Sequence, residues 1–245
     1  MSVDGAGLAE GRDRGDRSLK SSIAANVAVV RQRIRAAGGD PGRVTLVAVT
    51  KGFGLNAVRA AVAAGVGDLG DNYAQDLLGK VGAFGDEVRW HYVGPVQRNK
   101  VAALAEAVDW WHSVDRLSVG EAIARRQPGA HVLVQVNATG ESTKHGCRPD
   151  DTPDLVAHLR RLDLDVAGLM TIGPSGPAES ARPAFRLVAY LGRRLGLAEL
   201  SMGMTGDLEV AIQEGATMVR IGRGVFGPRD RRVSPATVGS LNGGD

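Results

Sequence analysis

Short apolar runs alternate with amphipathic segments along most of this 245-residue chain. The amphipathic segments carry Ala and Leu at helical spacing, with Gly, Asp or Ser near their ends, a pattern typical of helices. The apolar runs have the length and composition of buried strands. Eight such runs occur, at 44–50, 66–70, 88–94, 108–113, 131–137, 164–170, 198–202 and 216–222.

This alternation predicts right-handed βαβ units and a parallel sheet. Eight units in about 200 residues match the repeat of a closed (β/α)8 barrel. An open, doubly wound sheet is the alternative, but its Gly-x-Gly-x-x-Gly nucleotide signature is incomplete in GFGLNA, which follows the first run. We therefore predict a single α/β domain, a (β/α)8 TIM barrel at 18–230, with an extra N-terminal helix at roughly 18–37.

The two ends of the chain predict little ordered structure. Residues 1–17 are rich in Gly, Asp and Arg without periodicity, which predicts a disordered N-terminal tail, and residues 231–245 predict a flexible C-terminal tail. The first twenty residues carry charges where a secretory signal needs an apolar core, and no later stretch is apolar enough to cross a bilayer. We therefore expect no membrane partner.

Composition excludes several other classes of function. The net charge is +3 and few aromatic residues lie among the arginines, so we expect no nucleic-acid partner. The single cysteine, Cys147, lies in no cluster with zinc-ligand spacing, which predicts no metal site and favours a reducing, cytoplasmic setting. No face is long and apolar enough to demand a partner, so the chain is expected to be a monomer.

Polar and glycine residues gather where the predicted strands end. In a (β/α)8 barrel the chemistry lies at the carboxyl ends of the strands. Lys144 lies in a polar loop after the fifth strand, where its amine could reach an anion over the mouth. For His91 and for His112, a hydrogen-bonded structural histidine is the alternative to a site residue. The candidates at the strand ends are Lys51, Asn72, His91, Ser201, Gly203, Arg220, Gly222, Arg223 and Gly224.

Lys51 comes directly after the first strand, and three interpretations follow. A desolvated amine is a nucleophile that forms Schiff bases with aldehydes and ketones. It could bind a phosphorylated substrate, as in a lysine aldolase, or it could hold pyridoxal phosphate. The structural alternative is an ion pair with an acid such as Asp71.

The last two units favour a cofactor that carries phosphate. Loops after the seventh and eighth strands of such barrels commonly form a phosphate site from backbone N–H groups and a helix N-terminus. Here SMGMTGD at 201–207 and RIGRG at 220–224 supply glycines at these two places. If the ligand is a pyridine, an arginine that faces the ring nitrogen would keep that nitrogen unprotonated.

Ordered motifs occur along about residues 20–229. These are VAVTKGFG, GDLGDNYAQDLLGK, WHYVGPVQRNK, HSVDRL, VLVQVN followed by STKHG, GLMTI, and LSMGMTGDLEVAIQEGATMVRIGRGVFG. In this order and spacing the chain closely resembles the pyridoxal phosphate homeostasis proteins, relatives of the alanine racemase N-terminal barrel.

The resemblance implies pyridoxal 5′-phosphate on Lys51 as an internal aldimine. It places Asn72 beside the cofactor, Arg220 near the ring nitrogen, and Ser201 with the backbone of 222–224 around the phosphate. The position of Lys144 is linked in the family to cofactor transfer.

This sequence departs from the family pattern at Arg223, a position that usually offers a serine or threonine hydroxyl to the phosphate. An arginine there either makes a charge-assisted contact or points outward and leaves the phosphate to backbone N–H groups.

The resemblance also bears on catalysis. Two-base racemisation needs a second acid or base, which alanine racemases take from a tyrosine of an additional β-domain. This chain holds only Tyr73, Tyr92 and Tyr190. We therefore expect a protein of intracellular cofactor homeostasis, whose partners could include apo-enzymes that use pyridoxal phosphate. A weak racemase-like enzyme and a lysine aldolase remain the alternatives.

Overall fold

The computed structural model describes the backbone of residues 5–228 and the side chains of residues 17–228. Eight parallel strands pair in chain order, and the first pairs with the eighth, so the sheet closes into a barrel. The predicted (β/α)8 barrel is confirmed, and the open-sheet alternative is wrong. The strands are β1 (Thr45–Val49), β2 (Asp68–Asp71), β3 (Arg89–Tyr92), β4 (Trp110–Val114), β5 (His131–Gln135), β6 (Asp165–Met170), β7 (Glu199–Ser201) and β8 (Met218–Ile221).

Helices on the outside of the barrel connect successive strands. Their apolar faces pack on the outward side chains of the strands in one large core. Short 3-10 helices occur at Gly85–Glu87, Pro149–Asp151 and Ala178–Ala181. Within the described residues the α-helices are α1 (Gly5–Ala36), α2 (Leu55–Ala63), α3 (Ala74–Val81), α4 (Arg98–Leu104), α5 (Leu117–Ala124), α6 (Thr152–Arg161), α7 (Arg182–Arg194), α8 (Leu208–Gln213) and α9 (Arg223–Phe226).

The extra helix α1 begins at Gly5, so its predicted start near residue 18 is wrong. The predicted tail at 1–17 therefore overlaps helical backbone from residue 5 onward. Residues 1–4 lie outside the described residues, and so does the predicted C-terminal tail at 231–245. The division of the chain into a barrel and two tails otherwise stays a prediction.

Helix α1 binds the barrel through one apolar stripe. Ile23, Val27, Val30 and Ile34 recur every third or fourth residue and are almost fully buried. Polar contacts fix the orientation of the same helix: the side-chain amide of Asn26 donates to the Val225 carbonyl at 2.9 Å. Because Val225 lies in α9, the extra helix supports the chain that follows β8.

The barrel interior has an apolar and a polar part. Leu133, Met170 and Met218 form a small buried cluster inside the barrel, separate from the core between strands and helices. The polar part contains buried side chains from β2, β3, β4, β7 and β8. An interior of this kind is filled, so ligand chemistry is confined to its carboxyl end.

Gly94, just after β3, allows a backbone contact that shapes this end. A Cβ built at Gly94 would lie 2.1 Å from the carbonyl oxygen of Asn72. We expect Gly94→Ala to lower the free energy of unfolding by about 1–3 kcal/mol, because the two backbone segments would have to separate. Urea titration measures the loss. Gly79→Ala is the control: its Cβ meets nothing within 4 Å, and helix propensity predicts an unchanged or slightly higher stability. Equal stability of the two variants would contradict the expectation.

Candidate functional site

A cavity of about 1110 Å³ opens at the carboxyl ends of the strands. Its wall combines cationic side chains, glycine backbone and the loop that follows β6. Six of the residues predicted from the sequence line it: Lys51, Asn72, Lys144, Arg220, Gly222 and Arg223.

Lys51 enters this wall because β1 ends in a tight turn. The Phe53 N–H donates to the Thr50 carbonyl at 3.0 Å, and Gly52 has φ +74°, a left-handed conformation that glycine adopts readily. Thr50 itself is anchored to β2, since its N–H donates to the Gly70 carbonyl at 2.7 Å. The turn therefore takes the chain out of the sheet at Lys51, which lies in the cavity wall.

A buried ion pair lies directly behind this turn. The Lys80 amine donates to the Asp71 carboxylate at 2.7 Å and to the Thr50 carbonyl at 2.9 Å. The other carboxylate oxygen of Asp71 accepts from the Tyr73 N–H at 3.0 Å. Asp71, the acid considered as a structural partner for Lys51, is thus held by Lys80 and the adjacent backbone. The ion pair fixes the peptide that precedes Lys51.

Arg220 is the buried cation of the site. Its guanidinium donates from Nη1 to the Ser201 hydroxyl at 2.6 Å and from Nη2 to the Thr171 carbonyl at 2.8 Å. Burial lowers the pKa of Arg220 to about 10, and the charge of Asp207 opposes this change. The group stays a cation at neutral pH, and its hydrogen bonds hold it in one orientation in the cavity wall.

Two buried histidines continue the hydrogen bonds away from Ser201. The Ser201 hydroxyl lies 2.9 Å from Nδ1 of His112, and Nε2 of His112 lies 2.8 Å from Nδ1 of His91. Nε2 of His91 lies 2.9 Å from Asp68, which also pairs with Arg89. We call this chain of side chains, from Arg220 to Asp68, the interior relay.

Burial dominates the titration of the two histidines in the relay. It lowers the pKa of His91, although Asp68 opposes the change, and it lowers the pKa of His112 well below 6.5 with help from the neighbouring charges. Burial alone would raise the pKa of Asp68, but hydrogen bonds from His91 and Arg89 outweigh it and lower that pKa. At neutral pH the relay therefore holds two neutral imidazoles between a carboxylate and a guanidinium.

The loops after β7 and β8 form the glycine-rich side of the cavity. The Gly224 N–H donates to the Thr205 hydroxyl at 3.2 Å, so the two loops contact each other at the cavity wall. Gly203 has φ +94°, and its carbonyl accepts from the Arg220 N–H at 3.0 Å. Arg223, the first residue of α9, is exposed. It thus offers an exposed cation beside the backbone of α9.

Lys144 joins two loops at the opposite side of the mouth. Its amine donates to the Gly173 carbonyl at 2.8 Å and pairs with Glu141 at 2.8 Å. Its side chain is 19% exposed, so it remains accessible from the cavity while holding the loop after β6 in place.

Four sequence candidates do not line the cavity. His91 and Ser201 are buried in the interior relay. Gly203 and Gly224 belong to the loops after β7 and β8 but are not among the residues that line the cavity. Sequence reasoning missed the segment 172–178, which does line it. The Gly-Pro pair at 173–174, directly after the sixth strand, was the available signal for that segment.

Two kinds of feature are absent from the described residues. No helix among them is long and apolar enough to span a bilayer. In the same part of the chain, no group of three or more His, Cys, Asp or Glu side chains could hold a metal ion.

The ion pair behind Lys51 predicts a large loss of stability when one partner is removed. Lys80→Met leaves the buried Asp71 carboxylate without its cation, and we expect the free energy of unfolding to fall by about 3–5 kcal/mol. The double variant Lys80→Met/Asp71→Asn should recover part of this loss, because no uncompensated charge remains. Urea titration compares them with Lys100→Met on α4, where a change within about 0.5 kcal/mol is expected. A loss no larger than that in Lys80→Met would contradict the prediction.

The buried histidines predict that the protein loses stability in mild acid. Above pH 6.5 His112 is neutral in the folded and unfolded states, whereas below it the unfolded chain binds a proton that the folded protein excludes. The free energy of unfolding should therefore decrease as the pH is lowered below about 6.5, by at most about 1.4 kcal/mol per pH unit for each such group. His91 acts with the same sign.

Urea titrations between about pH 7.5 and about pH 5.5 test this pH dependence. His112→Asn should be less stable at neutral pH but should show a flatter dependence, because one of the excluded protons is gone. His158→Asn, at an exposed position on α6, should keep the dependence of the unmodified protein. An unchanged slope in His112→Asn would contradict the prediction.

Comparison with known proteins gives the family. The chain matches the family model for the alanine racemase N-terminal domain over residues 20–230. It is 46% identical over 224 residues to the pyridoxal phosphate homeostasis protein of Pseudomonas aeruginosa, covering 86% of this chain and 97% of that protein. The protein of the same name from Deinococcus radiodurans is 40% identical over 210 residues, with coverage of 84% and 99%.

A solved structure agrees with these relatives. PipY of Synechococcus elongatus, with pyridoxal phosphate bound, is 32% identical and superposes with a TM-score of 0.72, covering 84% of this chain and 100% of that one. This chain therefore belongs to the pyridoxal phosphate homeostasis protein family, within the wider family of the alanine racemase N-terminal domain.

Proposed function

We propose that this protein binds pyridoxal 5′-phosphate in the mouth cavity and takes part in the intracellular homeostasis of that cofactor. The observation that carries the proposal is that the Lys51 amine and the buried Arg220 guanidinium line the same cavity. The relatives support it, since they are named for homeostasis of this cofactor and PipY has been solved with it bound.

The donor groups of the cavity fit the cofactor. Pyridoxal phosphate presents an aldehyde, a flat pyridine ring and a dianionic phosphate, and a volume of about 1110 Å³ leaves room for all three. Lys51 provides an amine for the aldehyde. Cations and backbone N–H groups for the phosphate lie on the side of the cavity formed by Gly222 and Arg223.

Each wall residue has a distinct task in this proposal. When bound, the cofactor supplies an electrophilic aldehyde carbon and an electron-withdrawing ring. Lys51 would hold that carbon through its amine. Arg220 would present a fixed cation to the bound ring, and Asn72, which follows β2, would contribute a polar contact from that side of the cavity. Lys144 holds the loop after β6 over the mouth through its hydrogen bond to Gly173.

The geometry favours binding over two-base racemisation. None of the three tyrosines lies in the cavity wall that the structure describes. Tyr92 is buried against Trp111 at a ring distance of 5.9 Å, while Tyr73 and Tyr190 are exposed. The proposal therefore assigns no acid or base of this kind to the second face of a substrate.

Three predictions from the sequence remain part of the proposal. The protein would act in the cytoplasm, as a monomer, and apo-enzymes that need pyridoxal phosphate would receive the cofactor from it. The role of a carrier follows from a reactive aldehyde held reversibly by an amine.

Titration of the cofactor-free protein with pyridoxal phosphate tests the proposal. The unmodified protein should gain a visible absorption band that saturates at one cofactor per chain. We expect Lys51→Ala to lose that band, because no amine remains to bond the aldehyde, and to bind at least about tenfold more weakly. Borohydride reduction followed by peptide mass spectrometry should place the cofactor on Lys51.

Lys100→Ala, which removes an amine from outer helix α4, is the matched control and should keep both the band and the affinity. Uptake of the cofactor by Lys51→Ala with an unchanged spectrum would contradict the role of Lys51, and absence of uptake by the unmodified protein would overturn the proposal. A spectral change with amino-acid turnover would instead support the racemase-like alternative. Reductive trapping only with a sugar phosphate would support the aldolase.

A further inference from the structure

The interior relay connects the two faces of the barrel. Arg220 lies in the wall of the mouth cavity, whereas Asp68 and Arg89 line a separate cavity of about 210 Å³ at the amino ends of the strands. Between them the hydrogen bonds pass through Ser201, His112 and His91. Each of these three side chains is at most 1% exposed. The relay thus crosses the part of the interior that the apolar cluster leaves to polar groups.

The proton positions in the relay are determined from both ends. Asp68 is a carboxylate, so Nε2 of His91 must carry the proton that it donates. Since His91 is neutral, its Nδ1 accepts a hydrogen bond, and the donor is Nε2–H of His112. Nδ1 of His112 is then bare and accepts from the neighbouring hydroxyl.

The mouth end agrees with this direction. The Arg220 guanidinium only donates, so the Ser201 oxygen accepts from it, and the Ser201 hydroxyl proton is available to the bare Nδ1 of His112. Every hydrogen bond therefore points from the guanidinium towards the carboxylate. Bonds aligned in this way strengthen one another, and each acceptor atom is turned towards the cation.

We propose that His91 and His112 are positioning residues, which act through Ser201 on the guanidinium in the cofactor cavity. A guanidinium has several orientations that differ little in energy unless its N–H groups meet fixed acceptors. In the described structure, Arg220 has one backbone acceptor, the Thr171 carbonyl, and one side-chain acceptor, Ser201. The relay fixes that second acceptor.

Asp68 anchors the relay at the opposite face. Its carboxylate accepts from Nε of Arg89 at 2.8 Å and from Nη2 at 2.9 Å, and this paired geometry holds it in place beneath His91. Trp110 stacks parallel to the His91 ring at a centroid distance of 6.0 Å, which further restricts that imidazole. A change at Asp68 should therefore alter cofactor binding at the mouth, although Asp68 does not line the mouth cavity.

The predicted effect on cofactor binding rests on the proposed function. The first measurement is chosen so that it needs no cofactor. Nitrogen-15 NMR of the imidazoles in the cofactor-free protein reads their protonation directly. At neutral pH we expect both His91 and His112 to carry one proton, on Nε2, with Nδ1 bare. A proton on Nδ1 of His112, or a doubly protonated ring, would overturn the oriented relay.

The second measurement compares Asp68→Asn and His112→Asn with Asp165→Asn. The control removes a carboxylate at the same end of the barrel, one that pairs with the exposed His131 at 2.6 Å and lies outside the relay. We expect the two relay variants to bind pyridoxal phosphate about three- to tenfold more weakly and the control within about twofold of the unmodified protein. At saturating cofactor, the visible absorption maximum should shift only in the relay variants.

The positioning role would be overturned if both relay variants had the same cofactor affinity and the same absorption maximum as the control variant. A purely structural role would lower stability without moving the absorption maximum. If the unmodified protein takes up no cofactor, the proposed function fails, and the proton positions in the two imidazoles still decide whether the relay exists. If Asp68→Asn does not fold, His112→Asn decides the positioning role.

Discussion

A guanidinium inside the barrel must have its N–H groups accepted, because an uncompensated buried charge costs several kcal/mol. Arg220 meets this requirement with a backbone carbonyl and a serine hydroxyl. The serine in turn needs an acceptor for its proton, and so does each imidazole behind it. The requirement ends only at Asp68, where a carboxylate on the opposite face accepts without donating. One buried cation at the mouth thus accounts for a chain of polar side chains that crosses the interior.

The outside of the barrel supports the same end of the site. Helix α1, which is additional to the eight strand-helix units, lies against the chain after β7 and β8. Arg33 pairs with Glu209 at 2.6 Å and donates to the Thr205 carbonyl at 2.9 Å, while Asn26 donates to Val225. Phe226 stacks on Phe53 at 4.7 Å and joins these loops to the turn that carries the site lysine. The extra helix therefore positions the glycine-rich side of the cavity.

The sequence predicted the positions of all eight strands and of Lys51, because apolar runs and the closed βα repeat are local signals with one geometric consequence. Side-chain hydrogen bonds between residues that are far apart in the chain leave no such local signal in the sequence. Ser201 was predicted beside a phosphate, yet its hydroxyl bonds to His112, which lies 89 residues away in the chain. Asp71 was considered as a partner for Lys51, and the structure pairs it with Lys80, a helical lysine nine residues further on. Both depend on side-chain direction inside a closed barrel, which periodicity does not specify.

The two arginines of the cavity differ in the kind of electrostatics they offer. Arg220 is buried and held by fixed acceptors, so salt screens its field little and its direction is constant. Arg223 replaces the hydroxyl that the family resemblance leads one to expect, and it is exposed, so its attraction for an anion falls as ionic strength rises. A hydroxyl is nevertheless present on that side, since Thr205 contacts the Gly224 N–H in the cavity wall. The cavity thus combines one buried cation of fixed orientation with one exposed cation whose attraction for anions varies with ionic strength.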